Sequence, residues 1–244
     1  MAYGIFLVGS KKVICSSLFI VGEIGCNDYG YPLSETTAFG DLVTYIPQVI
    51  SVITSAIREL IHLGAVMFMV PGSLPLGCNS AYLTSFATID KEEYDRAGCL
   101  KWLNTFYEYH NELLQIELNR LRHGLLFWKG DTRIYFNVVF TGFGGNVLKV
   151  CCGGGGPYNY NETAMCGDAG VVACDDASQY VSWDGYHLTE AAYRLMTKGL
   201  LDGPYTIPKF NVSQKSERPS VEENNILDLN NTAVTIKGES CYYA

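Results

Sequence analysis

The sequence predicts an α/β fold whose parallel sheet is covered by helices on both faces. Short uninterrupted apolar runs, typical of buried parallel strands, alternate along the chain with segments whose apolar residues recur at helical spacing. Such alternation is the pattern of strand–helix–strand units. The 244 residues, 48% of them hydrophobic, suit one domain with a sizeable core, which we expect at residues 1–210. Residues 211–244 hold few large apolar side chains, and we expect a weakly structured polar tail there.

A strand–helix–strand unit opens the chain. The run Ser-Ser-Leu-Phe-Ile-Val-Gly at 16–22 predicts the first buried strand. Apolar residues at helical spacing predict a helix from about 38 to 63, which Gly64 ends. Pro47 lies within the first turns of this helix or kinks it. The run Ala-Val-Met-Phe-Met-Val-Pro-Gly at 65–72 predicts the second strand.

Three further elements continue the alternation. A long amphipathic helix is predicted at about 90–122, with these apolar residues on its inner face: Leu100, Leu103, Phe106, Leu113, Leu114, Leu118 and Leu121. The run Arg-Ile-Tyr-Phe-Asn-Val-Val at 133–139 predicts a third strand. Residues 188–201 predict the last helix, which begins at a cap supplied by Thr189 or a neighbouring residue.

Charge and hydropathy exclude two classes of partner at this stage. The net charge of −8 gives no electrostatic reason to expect binding to nucleic acid. No apolar run approaches the roughly 18 residues that a membrane helix needs, so the sequence predicts no transmembrane segment. Residues 1–25 make a poor signal peptide, because Lys11 and Lys12 interrupt their apolar stretch.

The cysteines and glycosylation sequons nevertheless indicate an oxidising, secretory environment. The chain has nine cysteines, and no two C-x-x-C pairs occur that would favour a zinc site over disulfides. Asn-x-Ser/Thr sequons begin at Asn161, Asn211 and Asn230, and each predicts a surface site of a glycoprotein.

Proximity along the chain suggests which cysteines pair. We expect a disulfide between Cys78 and Cys99. Other pairings are expected within a second group, and their connectivity stays open: Cys151, Cys152, Cys166 and Cys174. The glycines of Cys-Cys-Gly-Gly-Gly-Gly at 151–156 could cradle a phosphate, but no Gly-Lys-Ser/Thr follows them. A disulfide-pinned surface loop is therefore the favoured interpretation.

Three polar residues are candidates for catalysis. Asp184 precedes His187 by three residues, a spacing that lets a carboxylate orient an imidazole as in a hydrolase triad. Alternatively, Asp184 caps the following helix and His187 only packs. Asn27 follows the first predicted strand, where its amide could donate to a developing oxyanion. The alternative for Asn27 is a turn asparagine that tolerates an unusual backbone conformation.

Four segments, in the right order, resemble plant GDSL-type esterases/lipases of the SGNH hydrolase superfamily. SLFIVGEIGCNDYGYPL resembles the third block of that family, usually Gly-x-Asn-Asp, and VPGSLPLGC resembles its Pro-Leu-Gly-Cys segment. KVCCGGGGPYNYN is similar to a frequent sequence of the plant family. YVSWDGYHLTEAAYR resembles the final block, with its Asp-x-x-His. The resemblance runs from about Lys11 to Phe210.

This resemblance implies a fold, an activity and residue roles. The fold would be the three-layer α/β/α, flavodoxin-like arrangement with a parallel sheet. Family members hydrolyse small-molecule or lipid carboxylic esters, need no cofactor and are mostly secreted, while some relatives transfer the acyl group to an alcohol. By position, His187 would be the general base, Asp184 its orienting acid and Asn27 an oxyanion-hole donor.

The serine nucleophile of the family has no counterpart among these residues. It lies in a Gly-Asp-Ser block ahead of the Gly-x-Asn-Asp block, and no Gly-Asp-Ser occurs in the sequence. Ser10 is a poor substitute, because only seven residues separate it from Leu18, fewer than a parallel crossover needs. Ser16 and Ser17 stand at the start of the predicted strand, which is the wrong end for chemistry.

We therefore expect an N-terminally truncated member that lacks the first strand–helix–strand unit. Such a chain would be a weak or inactive ester hydrolase or, alternatively, a remnant that binds a ligand or partner without catalysis. The strand at 16–22 would become a sheet edge with apolar side chains and unpaired backbone groups, which favours self-association. Residues 3–9 could instead add themselves to that edge as an extra strand.

Overall fold

The computed structural model describes a set of residues that falls into two compact units. The first unit takes the described residues up to Gly72, those from His110 to Gly124, and 226–227 and 233–234. The second takes Ser73–Tyr109 and the described residues from 143 to Tyr205. The prediction of one domain over residues 1–210 stays a prediction. The described residues are 13–34, 39–124, 143, 147–202, 205, 226–227 and 233–234.

A parallel strand pair lies in the first unit. Strand β1 (Leu18–Ile20) pairs with β2 (Met67–Met69), and Phe19 stands opposite Phe68 in the register. The pairing confirms the parallel sheet that the two apolar runs predict. The prediction that Ser16 and Ser17 begin the first strand is wrong: residues 13–16 are helical, and the Ser17 hydroxyl donates to the Val13 carbonyl at 2.7 Å.

Three helices connect these strands. Helix α1 spans Cys26–Ser34, α2 spans Phe39–Val43 and α3 spans Ile46–His62. The single helix predicted over 38–63 is therefore two helices with a turn between them, and Pro47 stands in the first turn of α3. The α3 side chains that recur at helical spacing are buried: Ile46, Val49, Ile50, Ile53 and Ile57.

The stretch that includes α2 and α3 is an apolar segment that bears on the prediction of no transmembrane segment. Among the described residues, Phe39–His62 is the one helical stretch whose length and composition would let it cross a membrane, with a mean hydropathy of 1.3. A core helix passes the same test, and Ile46 and Ile57 of α3 are fully buried. The absence of a transmembrane segment therefore stays a prediction.

The second unit holds short elements and shares one long helix with the first. Helix α4 spans Ser80–Ser85, α5 spans Lys101–Gly124 and α6 spans Glu190–Asp202, while β3 (Cys152–Gly153) pairs antiparallel with β4 (Val172–Ala173). Helix α5, which contributes residues to both units, begins about eleven residues later than the sequence predicts.

A tight turn ahead of α5 explains its late start. The Asp95 carboxylate accepts the backbone N–H groups of Ala97 and Cys99, at 2.8 and 2.9 Å. Gly98 has a φ of +84°, which is outside the helical region. The disulfide between Cys99 and Cys78 then fixes the end of this turn.

Three disulfides bear out the predicted cysteine groups. Cys78 pairs with Cys99, Cys151 with Cys174 and Cys152 with Cys166, and the Cα atoms lie 4.4, 4.9 and 5.2 Å apart. Gly153, Gly154 and Gly156 pack against the backbone of the loop itself: a Cβ on Gly153 would lie 1.8 Å from the Asn159 carbonyl oxygen. This contact supports the disulfide-pinned loop over the phosphate cradle.

Several predicted features lie outside the described residues. They are the segment 3–9, Ser10 and the third strand at 133–139. Within the predicted tail, the structure describes β5 (Ile226–Leu227) and β6 (Ala233–Val234), which pair with each other in antiparallel fashion.

Candidate active site

Asp184 and His187 meet within a single turn of the second unit. The His187 Nδ1 lies 2.7 Å from Asp184 Oδ2. The other carboxylate oxygen, Oδ1, accepts the backbone N–H groups of Tyr186 and His187, at 2.9 and 2.8 Å. One carboxylate therefore closes the turn and orients the imidazole at once. In the neutral ring, a proton held at Nδ1 by this bond leaves the Nε2 lone pair free to accept another proton.

The two side chains differ in exposure. The His187 side chain is 71% exposed and that of Asp184 is 23% exposed, so His187 does not pack into the core. Partial burial by itself raises the pKa of the Asp184 carboxyl, but the hydrogen bonds from the His187 ring and from two backbone N–H groups outweigh it. The pKa of Asp184 is therefore lowered, and the carboxylate is ionised at neutral pH.

Neighbouring backbone holds the turn from both ends. On the N-terminal side, the Cys152 N–H donates to the Trp183 carbonyl at 2.8 Å, and the Trp183 N–H donates to the His187 carbonyl at 2.8 Å. On the C-terminal side, the Thr189 hydroxyl accepts the Ala192 N–H at 3.2 Å. Thr189 is thus the cap of α6, as predicted, and Asp184 does not cap that helix.

Helix α4 and Tyr160 hold the middle of the turn. The Ala81 N–H at the start of α4 donates to the Gly185 carbonyl at 3.3 Å. Gly185 has a φ of +104°, and the Tyr160 ring lies directly over it. The Tyr160 hydroxyl donates to the Tyr186 hydroxyl at 3.3 Å. Burial and this hydrogen bond raise the pKa of Tyr160, so its phenol stays protonated.

A row of aromatic rings extends from this turn. The Tyr186 ring is edge-on to the rings of Tyr82 and Tyr160, with centroids 6.1 and 5.9 Å away. The Tyr82 ring stacks on Phe86, which lies edge-on to Trp102 at 5.3 Å. Sequence reasoning missed this row, because its members come from separate segments. The only local signal was a tyrosine next to the histidine.

Asn27 lies in the first unit and is described there by itself. It stands in the first turn of α1, is exposed, and its side-chain amide makes no hydrogen bond within the described part of the chain. Gly25 precedes the helix with a φ of +121°, and its carbonyl accepts the Tyr29 N–H at 3.0 Å. The amide of Asn27 is therefore open to a ligand.

A buried pair anchors α1. The Tyr29 hydroxyl lies 2.7 Å from His110 Nδ1 of α5, and both side chains are almost fully buried. Burial lowers the pKa of His110 to about 4, so its ring is neutral. Burial also raises the pKa of Tyr29, so the phenol donates to Nδ1. Sequence reasoning missed this pair, whose members lie 81 residues apart.

Metal ligands do not gather in the described segments. Across residues 13–34, 39–124 and 147–202, no three His, Cys, Asp or Glu side chains are placed to hold an ion.

A mixed α/β fold and an Asp–His pair in an exposed turn are features that triad hydrolases share. Residues 10–200 match the family described as GDSL-like Lipase/Acylhydrolase, and the chain belongs to that family. It is 47% identical over 212 residues to GDSL esterase/lipase At1g31550 of Arabidopsis thaliana, covering 83% of this chain and 54% of that protein. It is also 45% identical over 226 residues to GDSL esterase/lipase At2g27360 of the same plant, covering 85% and 56%. The chain thus spans about half the length of these relatives.

Proposed function

We propose that this chain takes part in the hydrolysis of carboxylic esters, with Asp184 and His187 as its proton-transfer pair. The 2.7 Å bond between His187 Nδ1 and Asp184 Oδ2 carries the proposal, together with the exposure of the ring. Nε2 takes the proton of an attacking hydroxyl and returns it to the leaving alkoxide, while Asp184 stabilises the imidazolium between the two steps. By its position in the family pattern alone, Asn27 is proposed separately as an oxyanion-hole donor, and the exposure of its amide supports that role.

The hydroxyl that attacks is not supplied by a Gly-Asp-Ser block of these 244 residues. In a comparable triad, loss of a member leaves at most about 10³- to 10⁴-fold catalysis over water. We therefore propose that the chain by itself is a weak or inactive esterase. Its substrates would be small-molecule or lipid esters, as its family membership supports.

A chimera tests the roles of the pair. Joining the Gly-Asp-Ser-containing part of a family member to residues 10–200 supplies the hydroxyl, and we expect hydrolysis of p-nitrophenyl butyrate to appear. His187→Ala in the chimera should remove at least about 10²-fold of kcat, since it deletes the general base. His62→Ala is the matched control, because His62 is an exposed histidine of α3. Equal rates for the chimera and its His187→Ala variant would refute the proposed role.

The unmodified chain tests the missing nucleophile. A fluorophosphonate probe reacts with activated serines, and we expect no labelling of the natural chain beyond that of its denatured form. A covalent adduct on any serine, lost in His187→Ala and retained in His62→Ala, would show that the chain has its own nucleophile.

We also propose an extracellular location for the chain. Disulfides persist in oxidising compartments, and three of them pin the second unit. Free-thiol titration of the chain isolated from its native tissue should find these six cysteines oxidised, whereas a reduced set would contradict the location.

A second, non-catalytic role has one observation in its favour. Within the described residues β1 pairs only with β2, and the Ile20 side chain of β1 is 63% exposed. A strand that pairs on one side only presents a row of backbone N–H and C=O groups on its other edge, which can pair with another strand. We propose a second copy of this chain as its partner, so that β1 strands extend one sheet across two molecules.

Light scattering across a concentration series tests this association. The natural chain should form dimers, and Ile20→Lys should shift it to monomers, because a charge blunts the edge. Val52→Lys is the matched control, since Val52 is 67% exposed but lies on α3. A natural chain that stays monomeric at every concentration would overturn the proposal.

A further inference from the structure

We infer that Tyr29 and His110 are positioning residues for ester hydrolysis, because they fix the backbone that carries the Asn27 amide. The inference rests on the proposed role of Asn27 as an oxyanion-hole donor. Asn27 is exposed, whereas Tyr29 of the same helix is fully buried. Residues two apart in a helix lie on opposite faces of it, so the buried face at Tyr29 sets the orientation of the face that carries Asn27.

Both rings of the buried pair lie against the backbone at the start of α1. A Cβ on Gly25 would lie 2.8 Å from Tyr29 Cε2 and 3.3 Å from His110 Cε1. The two rings stand edge to face, with their centroids 5.6 Å apart. The Gly25 carbonyl accepts the Tyr29 N–H at 3.0 Å and so closes the turn that contains Asn27. A shift of either ring therefore moves this turn.

The contact between the two rings is directional as well as close. The Tyr29 hydroxyl donates to His110 Nδ1 at 2.7 Å, so the neutral imidazole carries its proton on Nε2. His110 Nε2 is buried and makes no hydrogen bond within the described residues. A buried N–H without an acceptor costs free energy, and two apolar side chains of the same shape would avoid that cost. The pair is thus explained better by the orientation that it fixes than by the stability that it adds.

An oxyanion-hole donor depends on a fixed orientation of this kind. The donor must lie about 2.7–3.1 Å from the oxygen on which charge develops, and loss of one donor costs about 10²- to 10³-fold in kcat. A displacement of about 1 Å can itself cost about 10²-fold. Loss of the bond between Tyr29 and His110 should therefore lower kcat and leave KM unchanged, because the Asn27 amide acts on the transition state and not on the bound ester.

Kinetics are measured in a chimera that carries the Gly-Asp-Ser-containing part of a family member ahead of the full chain. Tyr29→Phe keeps the ring and removes the hydroxyl, and we expect kcat to fall about 10- to 10²-fold at constant KM. His110→Leu should have the same effect, whereas His110→Asn should keep most of the kcat, because its carboxamide oxygen lies close to the place of Nδ1. Tyr107→Phe is the matched control and should leave kcat unchanged, since Tyr107 is an equally buried tyrosine of the second unit.

A second substitution separates positioning from general stability. In the Asn27→Ala background, Tyr29→Phe should lower kcat no further, because the amide that the pair positions is gone. An equal fall of kcat in both backgrounds would show that the pair only supports the fold, and the inference would be wrong. A chimera whose hydrolysis requires His187 but is unaffected by Tyr29→Phe would also refute the inference, while leaving the proposed function standing.

NMR relaxation of the natural chain gives a readout that needs no nucleophile. It tests the inference even if the chimera shows no hydrolysis, which is the outcome that would refute the proposed function. The backbone amide order parameter of Asn27 should be about 0.85, the value of a rigid backbone, and should fall towards about 0.6 in Tyr29→Phe. Tyr107→Phe should keep the natural value. The same order parameter with and without the Tyr29 hydroxyl would overturn the inference.

Discussion

Substituting Gly185 by alanine tests how the Asp184–His187 turn is held. The φ of +104° is a conformation that residues with a Cβ adopt at a cost of about 1–3 kcal/mol. The new Cβ would also lie 2.3 Å from Cδ2 of the Tyr160 ring, and such overpacking costs about 1–3 kcal/mol more. We therefore expect Gly185→Ala to lower the free energy of unfolding by roughly 2–6 kcal/mol in urea denaturation followed by circular dichroism.

Gly155→Ala separates the two contributions. Gly155 has a φ of +103°, but a Cβ added there meets nothing within 4 Å, so its substitution reports the backbone strain alone. Gly185→Ala should exceed it by the overpacking contribution of about 1–3 kcal/mol. In a Tyr160→Ala background, the penalty of Gly185→Ala should fall to the level of Gly155→Ala. Equal penalties for the two glycines in the natural chain would refute the proposed contact with Tyr160.

Three more predictions concern pH and the disulfides. The folded pKa of Asp184 is lowered, so its stabilisation is present above the unfolded pKa of about 3.9 and is lost as pH falls through the folded pKa. Acid titration of the urea midpoint should show this loss in the natural chain and not in Asp184→Asn. Burial lowers the pKa of His110 to about 4, so below an unfolded pKa of about 6.5 only the unfolded chain gains a proton. Stability should thus rise by roughly 3 kcal/mol from pH 4 to 6.5, and His110→Gln should flatten that slope, whereas an unchanged slope would contradict the assignment. Replacing Cys152 and Cys166 together by serine should remove roughly 3 kcal/mol, measured as a lower Tm without reductant, and an unchanged Tm would count against that bond.

The apolar runs were sufficient to predict the parallel strands, but not their ends. Strands buried on both faces need continuous apolar side chains, and Leu18–Ile20 and Met67–Met69 carry that signal. The conformation of a serine depends less on burial, because its hydroxyl can form a hydrogen bond with nearby backbone groups. The Ser17 hydroxyl donates to the Val13 carbonyl, so Ser17 is tied to the preceding helical turn. The pattern of apolar residues gives no information about this hydrogen bond.

Helix starts were missed for a related reason. The predicted helix extended back to about residue 90, although its apolar residues at helical spacing begin only at Leu100. The side chain of Asp95 and the backbone of Gly98 form a turn instead, and the Cys78–Cys99 bond fixes it. This disulfide joins two cysteines that are 21 residues apart, so a local pattern of apolar residues cannot predict it.

In the candidate site, too, the local contact was predictable from the sequence and the long-range contact was not. Asp184 and His187 are three residues apart, so their contact is local and the spacing predicts it. Tyr160 reaches Gly185 only because the loop between Cys152 and Cys166 returns the chain to that turn. Contacts of this kind depend on long-range closure, and sequence reasoning found the cysteines without finding the tyrosine.

The hydrogen bonds that orient His187 all come from within the second unit. Asp184 holds the ring, the Trp183 N–H holds the His187 carbonyl, and Cys152 holds Trp183. None of these contacts involves an attacking hydroxyl, so the imidazole is oriented whether or not a nucleophile is present. The geometry of the pair is therefore evidence for a proton acceptor and not for turnover. Only an assay that adds the hydroxyl while keeping the pair, as the chimera does, separates a dormant esterase from a turn that serves stability alone.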